Sequence, residues 1–198
     1  MSLTIKSLEH IFISKVRIKS LRYFLMNPDK PIHLRGAVRE LKEEINAVRR
    51  ELTRLEETKI IKSEAKGNRK YFELNGTHPF ISELMSIFHK SYGLGGEIIN
   101  NEKKLGEIEY AFLTPSFTKG IFMGVQIIDM VIVGNVDLKV LDEIVTKAQY
   151  EFNKEIHYMV LKPSEFALRK RRRDQLLLDL MMQDLVLLLG NPDEFVKM

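Results

Sequence analysis

The sequence predicts an α+β protein of two unlike domains, on three observations. Residues 1–80 hold short helical patterns followed by one basic hairpin pattern, whereas from Ile108 onward apolar strand-like runs alternate with amphipathic helices. Charge divides along the same line: residues 1–80 carry 17 Lys and Arg against 10 Asp and Glu, and the remainder carries 14 against 17. Between the two halves lies "HPFISELMSIFHKSYGLGGEIINNEKKLGE", a helical pattern interrupted by Gly93, Gly95 and Gly96. The expected organisation is a basic helix-and-hairpin domain over 1–78, a helical connector over 79–105 and a small sheet domain over 106–198.

Bulk composition narrows the class. With 198 residues, 44% apolar and 29% charged, the chain suits folded soluble domains. It has no cysteine, which excludes disulfides and thiolate metal ligands. The start, "MSLTIKSLEHIFIS", lacks the long apolar core of a signal peptide. The most apolar late stretch, "LLLDLMMQDLVLLLG", is broken by Asp179, Gln183 and Asp184 and is too short to span a bilayer. The expectation is a cytoplasmic protein with no membrane partner.

In the first half, "SKVRIKSLRYFLM" (14–26) places Ile18, Leu21 and Leu25 on one helical face with Phe24 beside them. "NPDKP" stops that helix, since neither proline can continue it. A short helix follows over about His33 to Lys42 and includes Arg35. A third runs from about Glu44 to Thr58, with Ile45, Val48, Leu52 and Leu55 as its core stripe. At about 100° per residue, Asn46, Arg50, Thr53 and Glu57 point the other way, flanked by Arg49 and Arg54. Such a face suits base edges and phosphates in a major groove. It equally suits a solvated helix balanced by Glu51, Glu56 and Glu57. Two β-prone runs, Ile60 to Ser63 and Lys70 to Leu74, then flank a turn at Gly67 and Asn68, with Lys66, Arg69 and Lys70 at its tip.

Helix, helix, basic helix and basic hairpin in this order resemble the winged helix-turn-helix domains of ArsR-like transcriptional regulators. The resemblance rests on "NAVRRELTRLEETKIIKSEAKGNRKYFELN" and covers about Ile13 to His78. It implies binding of double-stranded DNA through Arg35, Asn46, Arg49, Arg50, Thr53 and Arg54, with a wing at Lys66, Asn68, Arg69 and Lys70. A winged helix that binds protein or RNA is the competing reading. The connector repeats apolar residues at Ile81, Leu84, Met85 and Phe88, followed by a break at the glycines and a second, more polar helix to about Lys104. Added helices of this kind imply a homodimer, which reads two half-sites. His89 reads as a surface or packing residue.

The second half reads as strands at "IEYAFLT", "IIDMVIVG", "EIHYMVLKP" and "LVLLLG". Between them lie an amphipathic helix with Leu138, Leu141, Ile144, Val145 and Phe152 on its inner face, a helix capped by Ser164, and another from about Asp174 to Met182. The arrangement resembles the MNT-like nucleotidyltransferase domain of the DNA polymerase beta superfamily, a small α/β domain with a mixed sheet. That family uses Gly-Ser in a tight turn and, about ten residues on, Asp-x-Asp on a strand to hold Mg²⁺ on a nucleotide; a third carboxylate follows on a later strand.

Here the motif is degenerate. Pro115-Ser116 stands for Gly-Ser, and Ile127-x-Asp129 stands for Asp-x-Asp. The loop "FTKGIFMGVQI" is apolar, and His157 and Tyr158 occupy the third carboxylate's strand. One carboxylate seldom holds Mg²⁺ against water. The resemblance therefore implies the fold without the catalysis: no catalytic residue, no metal and no cofactor are assigned. Ser116, Lys119 and Asp129 remain as residual nucleotide-pocket candidates; the competing reading of Asp129 is a strand-end residue paired with Ser116 or Lys119. "RKRRR" (169–173) reads either as a phosphate-contacting patch or as a solvated helix end.

The expected function is a DNA-binding transcriptional regulator whose second domain serves sensing of a small-molecule or nucleotide effector, dimerisation or partner binding. Two alternatives stand beside it. One is an active Mg²⁺-dependent nucleotidyltransferase. The other is the protein-interaction member of a toxin–antitoxin pair.

Overall fold

The structure, a computed structural model, describes residues 3–121 and 127–196. The fold is α+β, and the chain divides into two units, Met1–Phe88 and His89–Met198.

The first unit opens with α1 (Leu3–Phe12), a helix the sequence reading does not include. Helix α2 (Lys15–Met26) starts where Ser14 accepts a hydrogen bond from the Arg17 N–H, a serviceable N-cap. A two-residue strand β1 (Ile32–His33) leads into α3 (Leu34–Leu41), where His33 Nδ1 accepts from the Gly36 N–H. Helix α4 (Ile45–Glu57) is capped by the Glu44 carboxylate, which accepts from the Asn46 and Ala47 N–H groups. Those two donors hold Glu44 below the usual carboxylate range. Strands β2 (Ile61–Lys66) and β3 (Arg69–Leu74) then form the antiparallel hairpin, and β1 pairs with the outer edge of β3. Gly67 has φ 59° at the first central position of the two-residue turn, where a type II′ geometry calls for glycine.

The core of this unit joins Leu21, Phe24 and Leu25 of α2, Ala37 and Leu41 of α3, and Val48, Leu52 and Leu55 of α4 beneath Ile61, Phe72 and Leu74. Two details depart from the expected stripe. Ile45, the first residue of α4, is 37% exposed. Glu51, expected on a solvated face, is buried, because Arg17 of α2 reaches it at 2.7 Å. An ion-paired carboxylate can occupy a place that periodicity alone would give to an apolar residue.

Helix α5 (Ile81–Ser91) carries the chain out of the first unit. The glycines expected to break the connector instead lie inside α6 (Gly93–Asn100), which is apolar rather than polar: Leu94 and Ile98 are fully buried. Glycine is needed there for close approach. A Cβ on Gly95 would lie 2.3 Å from the His89 carbonyl oxygen, and one on Gly96 would lie 2.8 Å from that of Ser91.

The second unit continues through α7 (Glu102–Leu105), β4 (Gly106–Leu113), α8 (Pro115–Lys119), β5 (Met130–Val136), α9 (Leu138–Phe152) and β6 (Tyr158–Leu161). It closes with α10 (Pro163–Arg171), α11 (Gln175–Met181), β7 (Val186–Leu189) and α12 (Pro192–Val196). The sheet is mixed, in the order β6-β5-β4-β7, with β5 and β6 parallel and the other pairs antiparallel. Its central strands are buried on both faces, which explains their unbroken apolar runs. Met130 and Ile132 point into a cluster with Leu141, Ile144 and Val145 of α9. The alternate residues Val131 and Val133 point into a second cluster with Phe166 of α10, Leu177 and Leu180 of α11 and Phe195 of α12.

Two expected features fall differently here. Leu138, at the first position of α9, is 60% exposed rather than part of the inner face. Ser164 does not cap α10; Pro163 is already the first helical residue and Lys162 the cap, because proline's fixed φ and missing N–H suit that position. Residues 122–126 of the apolar loop "FTKGIFMGVQI" lie outside the described residues.

His89 is a packing residue of an unusual kind. It is 2% exposed, its ring stacks edge-on to Phe117 at 5.8 Å, and neither ring nitrogen has a hydrogen-bond partner. Burial pushes its imidazole down to about 4 from the ordinary 6.5. As pH falls below about 6.5 the unfolded chain takes up a proton that the folded chain refuses. Stability is therefore complete above about pH 6.5 and drains toward pH 4, by roughly 3 kcal/mol in all. Urea unfolding of the wild type and His89→Leu at pH 7 and pH 5 tests this. The variant should lose less stability between the two pH values; equal losses would exclude His89 as the source.

Candidate functional site

Ten side chains named from the sequence form the candidate surface of the first unit. Arg35, Asn46, Arg49, Arg50, Thr53, Arg54, Lys66, Asn68, Arg69 and Lys70 are all exposed. Because Val48, Leu52 and Leu55 fix which way α4 turns its apolar face, Asn46, Arg49, Arg50 and Thr53 are held on its outer side. The Arg49 guanidinium donates to Asn46 Oδ1 at 3.2 Å, so these two present their polar groups jointly. Arg54 lies 3.8 Å from the buried Glu51. Arg35, Arg50 and Arg69 have no ion-pair partner among the described residues. Exposed cations without carboxylates keep mobile counterions, which a polyanion can displace.

The hairpin is tied to α4 by Glu56. Its carboxylate accepts from Ser63 Oγ on β2 and from Lys70 Nζ on β3, the latter at 2.7 Å. Lys70, and after it Ser63, hold the Glu56 carboxyl below the usual range. Lys70 also lies over the Phe72 ring at 5.2 Å. The structure thus gives Lys70 a positioning role, tying the hairpin near its turn to the helix. Lys66, paired with Glu64 at 3.1 Å, and Arg69 stand at the hairpin tip. The sequence signal for the Glu56 tie is one of two adjacent Glu residues late in the helix, which periodicity does not distinguish from solvated ones.

In the second unit Asp129 sits just ahead of β5 and is completely buried. Its Oδ1 accepts from Ser116 Oγ at 2.9 Å and from Lys154 Nζ at 2.9 Å, and its Oδ2 accepts from the His157 backbone N–H at 3.0 Å. The His157 ring nitrogen Nδ1 lies 3.6 Å from the same Oδ2. Lys154 also donates to the Ser116 carbonyl oxygen at 3.4 Å and lies over the Phe117 ring. The backbone closes the same knot, since the Thr114 N–H donates to the Asp129 carbonyl oxygen and the Asp129 N–H to that of His157.

Of the three pocket candidates, the structure brings Ser116 and Asp129 together and leaves Lys119 out. Lys119 pairs with Asp184 instead. The base on Asp129 is Lys154, which the sequence reading missed. It follows the left-handed C-cap Asn153 of α9 and lies 25 residues beyond its partner, with no spacing rule to connect them. Pro115 starts α8, where a missing N–H costs nothing, and Ile127 is 46% exposed. Three protein donors engage Asp129, two on Oδ1 and one on Oδ2. Among the described residues no group of three His, Asp or Glu side chains is placed to hold a metal ion. None of their helices is long and apolar enough to cross a membrane.

No protein-family model matches the chain, and a comparison with curated proteins also returns no match. Among solved structures, human N-acetylserotonin methyltransferase in complex with SAM aligns over 62% of this chain and 39% of its own, at 14% identity and a TM-score of 0.28. This chain thus spans about two fifths of that protein's length, and a likeness of that size bears on neither fold nor function.

Proposed function

We propose that this chain is a cytoplasmic, homodimeric regulator that binds specific double-stranded DNA. In this reading the first unit is a winged helix-turn-helix, α4 is its recognition helix and the hairpin is its wing. The second unit is a nucleotidyltransferase-like domain without catalysis, serving sensing or partner binding. The observation that carries the reading is the outer side of α4. Asn46, Arg49, Arg50 and Thr53 stand exposed there, the right donors and acceptors for base edges, and Arg50 makes no close ion pair among the described residues. The engaged Asp129 supports the non-catalytic half of the proposal, because a buried carboxylate already bonded to Lys154, Ser116 and the His157 N–H offers little to a hydrated Mg²⁺.

Selection of bound duplexes from a random-sequence pool at near-physiological salt tests it. The expected result is a palindromic motif, as a symmetric dimer requires. Recovery of no motif, or of binding that is only salt-sensitive and sequence-independent, would remove the regulator reading.

A further inference from the structure

The run Arg169–Arg173 is the strongest basic motif of the second unit, and the DNA-binding reading of α4 and its hairpin leaves it unused. From His89 onward the chain carries 14 Lys and Arg against 16 Asp and Glu, so five consecutive cations stand out from an acidic background. The structure divides the five. Arg169 is committed internally: it reaches Glu165 at 2.9 Å and Asp174 at 3.6 Å. Lys170 donates to the carbonyl oxygens of Glu194 and Phe195 and lies over the Phe166 ring. Arg171, Arg172 and Arg173 are exposed and have no ion-pair partner among the described residues.

Helix-end electrostatics account for at most one of these three. The last turn of α10 holds Arg169, Lys170 and Arg171, so its carbonyl end is supplied with cations before Arg172 and Arg173 are reached. The turn itself is a closed Schellman motif: the Arg173 N–H donates to the Lys170 carbonyl oxygen and the Asp174 N–H to that of Arg169. The position after the cap in such a motif is left-handed, and glycine or asparagine is the unstrained choice. Arg173 occupies it at φ 50°, at a cost of about 1 kcal/mol. Because the turn's N–H groups are spent internally, any anion there meets guanidinium groups alone. Three guanidiniums on one fixed turn match a run of phosphates.

We propose that Arg171, Arg172 and Arg173 form a second contact surface for the phosphate backbone of double-stranded nucleic acid. This rests on the DNA-binding reading above. The contact is sequence-independent: it adds affinity and salt dependence to complexes whose sequence choice is made by α4.

The test is a salt titration of the full chain on a 40-base-pair random duplex, comparing the wild type with Arg171→Ala/Arg172→Ala/Arg173→Ala and with the triple Lys variant. Three lost phosphate contacts should make the slope of log Kobs against log salt shallower by about 2 to 3. The Lys variant should keep most of that slope, and the motif recovered by selection should not change. An unchanged slope in the Ala variant overturns the proposal. So does an unchanged slope accompanied by lost binding to phosphatidylserine vesicles, which would assign the arginines to a membrane surface. If the wild type binds no duplex at all, the DNA reading itself falls and takes this surface with it.

Discussion

Replacing Arg49 and Arg50 together by alanine lowers affinity for the selected duplex at least about 100-fold, the equivalent of roughly 3 kcal/mol for two base or phosphate contacts. The loss should be larger on the selected sequence than on random duplex, so that the ratio between the two shrinks. The salt slope should also flatten by about one for each phosphate contact among the two residues. Stability should barely move. Both side chains are exposed on α4; Arg49 bonds to Asn46, and both guanidiniums act on the exposed Glu44 only through space. The measurement is a binding titration on both duplexes beside a urea denaturation curve. Unchanged affinity on the selected duplex would show that the outer side of α4 is not the reading surface, however basic it is. A large drop in stability would mean that the substitution had damaged the helix rather than an interface.

Lys154→Met should destabilise the protein at neutral pH by about 2–3 kcal/mol. The substitution leaves the buried Asp129 carboxylate without its countercharge. The effect stays below the full cost of an orphaned buried ion because Ser116 Oγ and the His157 N–H still donate to it, and because the Lys154 side chain is itself 41% exposed. Adding Asp129→Asn removes the charge that was stranded, so the double variant should be more stable than Lys154→Met alone. Urea unfolding of wild type, both single variants and the double gives a coupling energy between the two residues. Independent, additive losses would mean that the ion pair in the structure does no work in solution.

How much of the fold could be read from the sequence depends on which force places each element. The α4 stripe, the α9 face and the four strands of the second unit follow from apolar periodicity, and they form with ends within a few residues of those expected. Periodicity assumes an infinite helix, however, and errs at first positions, as at Ile45 and Leu138. It also reads charge as exposure, and so placed Glu51 outside. Gly95 and Gly96 look like breaks in a sequence, because only the folded turn between α5 and α6 shows a backbone pressed against their missing side chains. The helices α1, α8 and α12 carried no signal that was read, and two of them have only five residues, too few for a periodic pattern to show.

The candidate sites divide in the same way. By itself the sequence determined the outward set on α4 and the hairpin tip, because both lie on local, regular elements whose geometry fixes where each side chain points. It also determined that Asp129 stands without a second carboxylate two residues before it. Only the tertiary structure decided the partners: Lys154 rather than Lys119 on Asp129, Arg17 on Glu51, Lys70 drawn to Glu56, and Arg171, Arg172 and Arg173 left without an ion-pair partner among the described residues. The physical reason is that periodicity encodes the direction of a side chain from its own backbone. An ion pair is set by the closure of chain segments far apart in sequence, and no spacing rule records that distance.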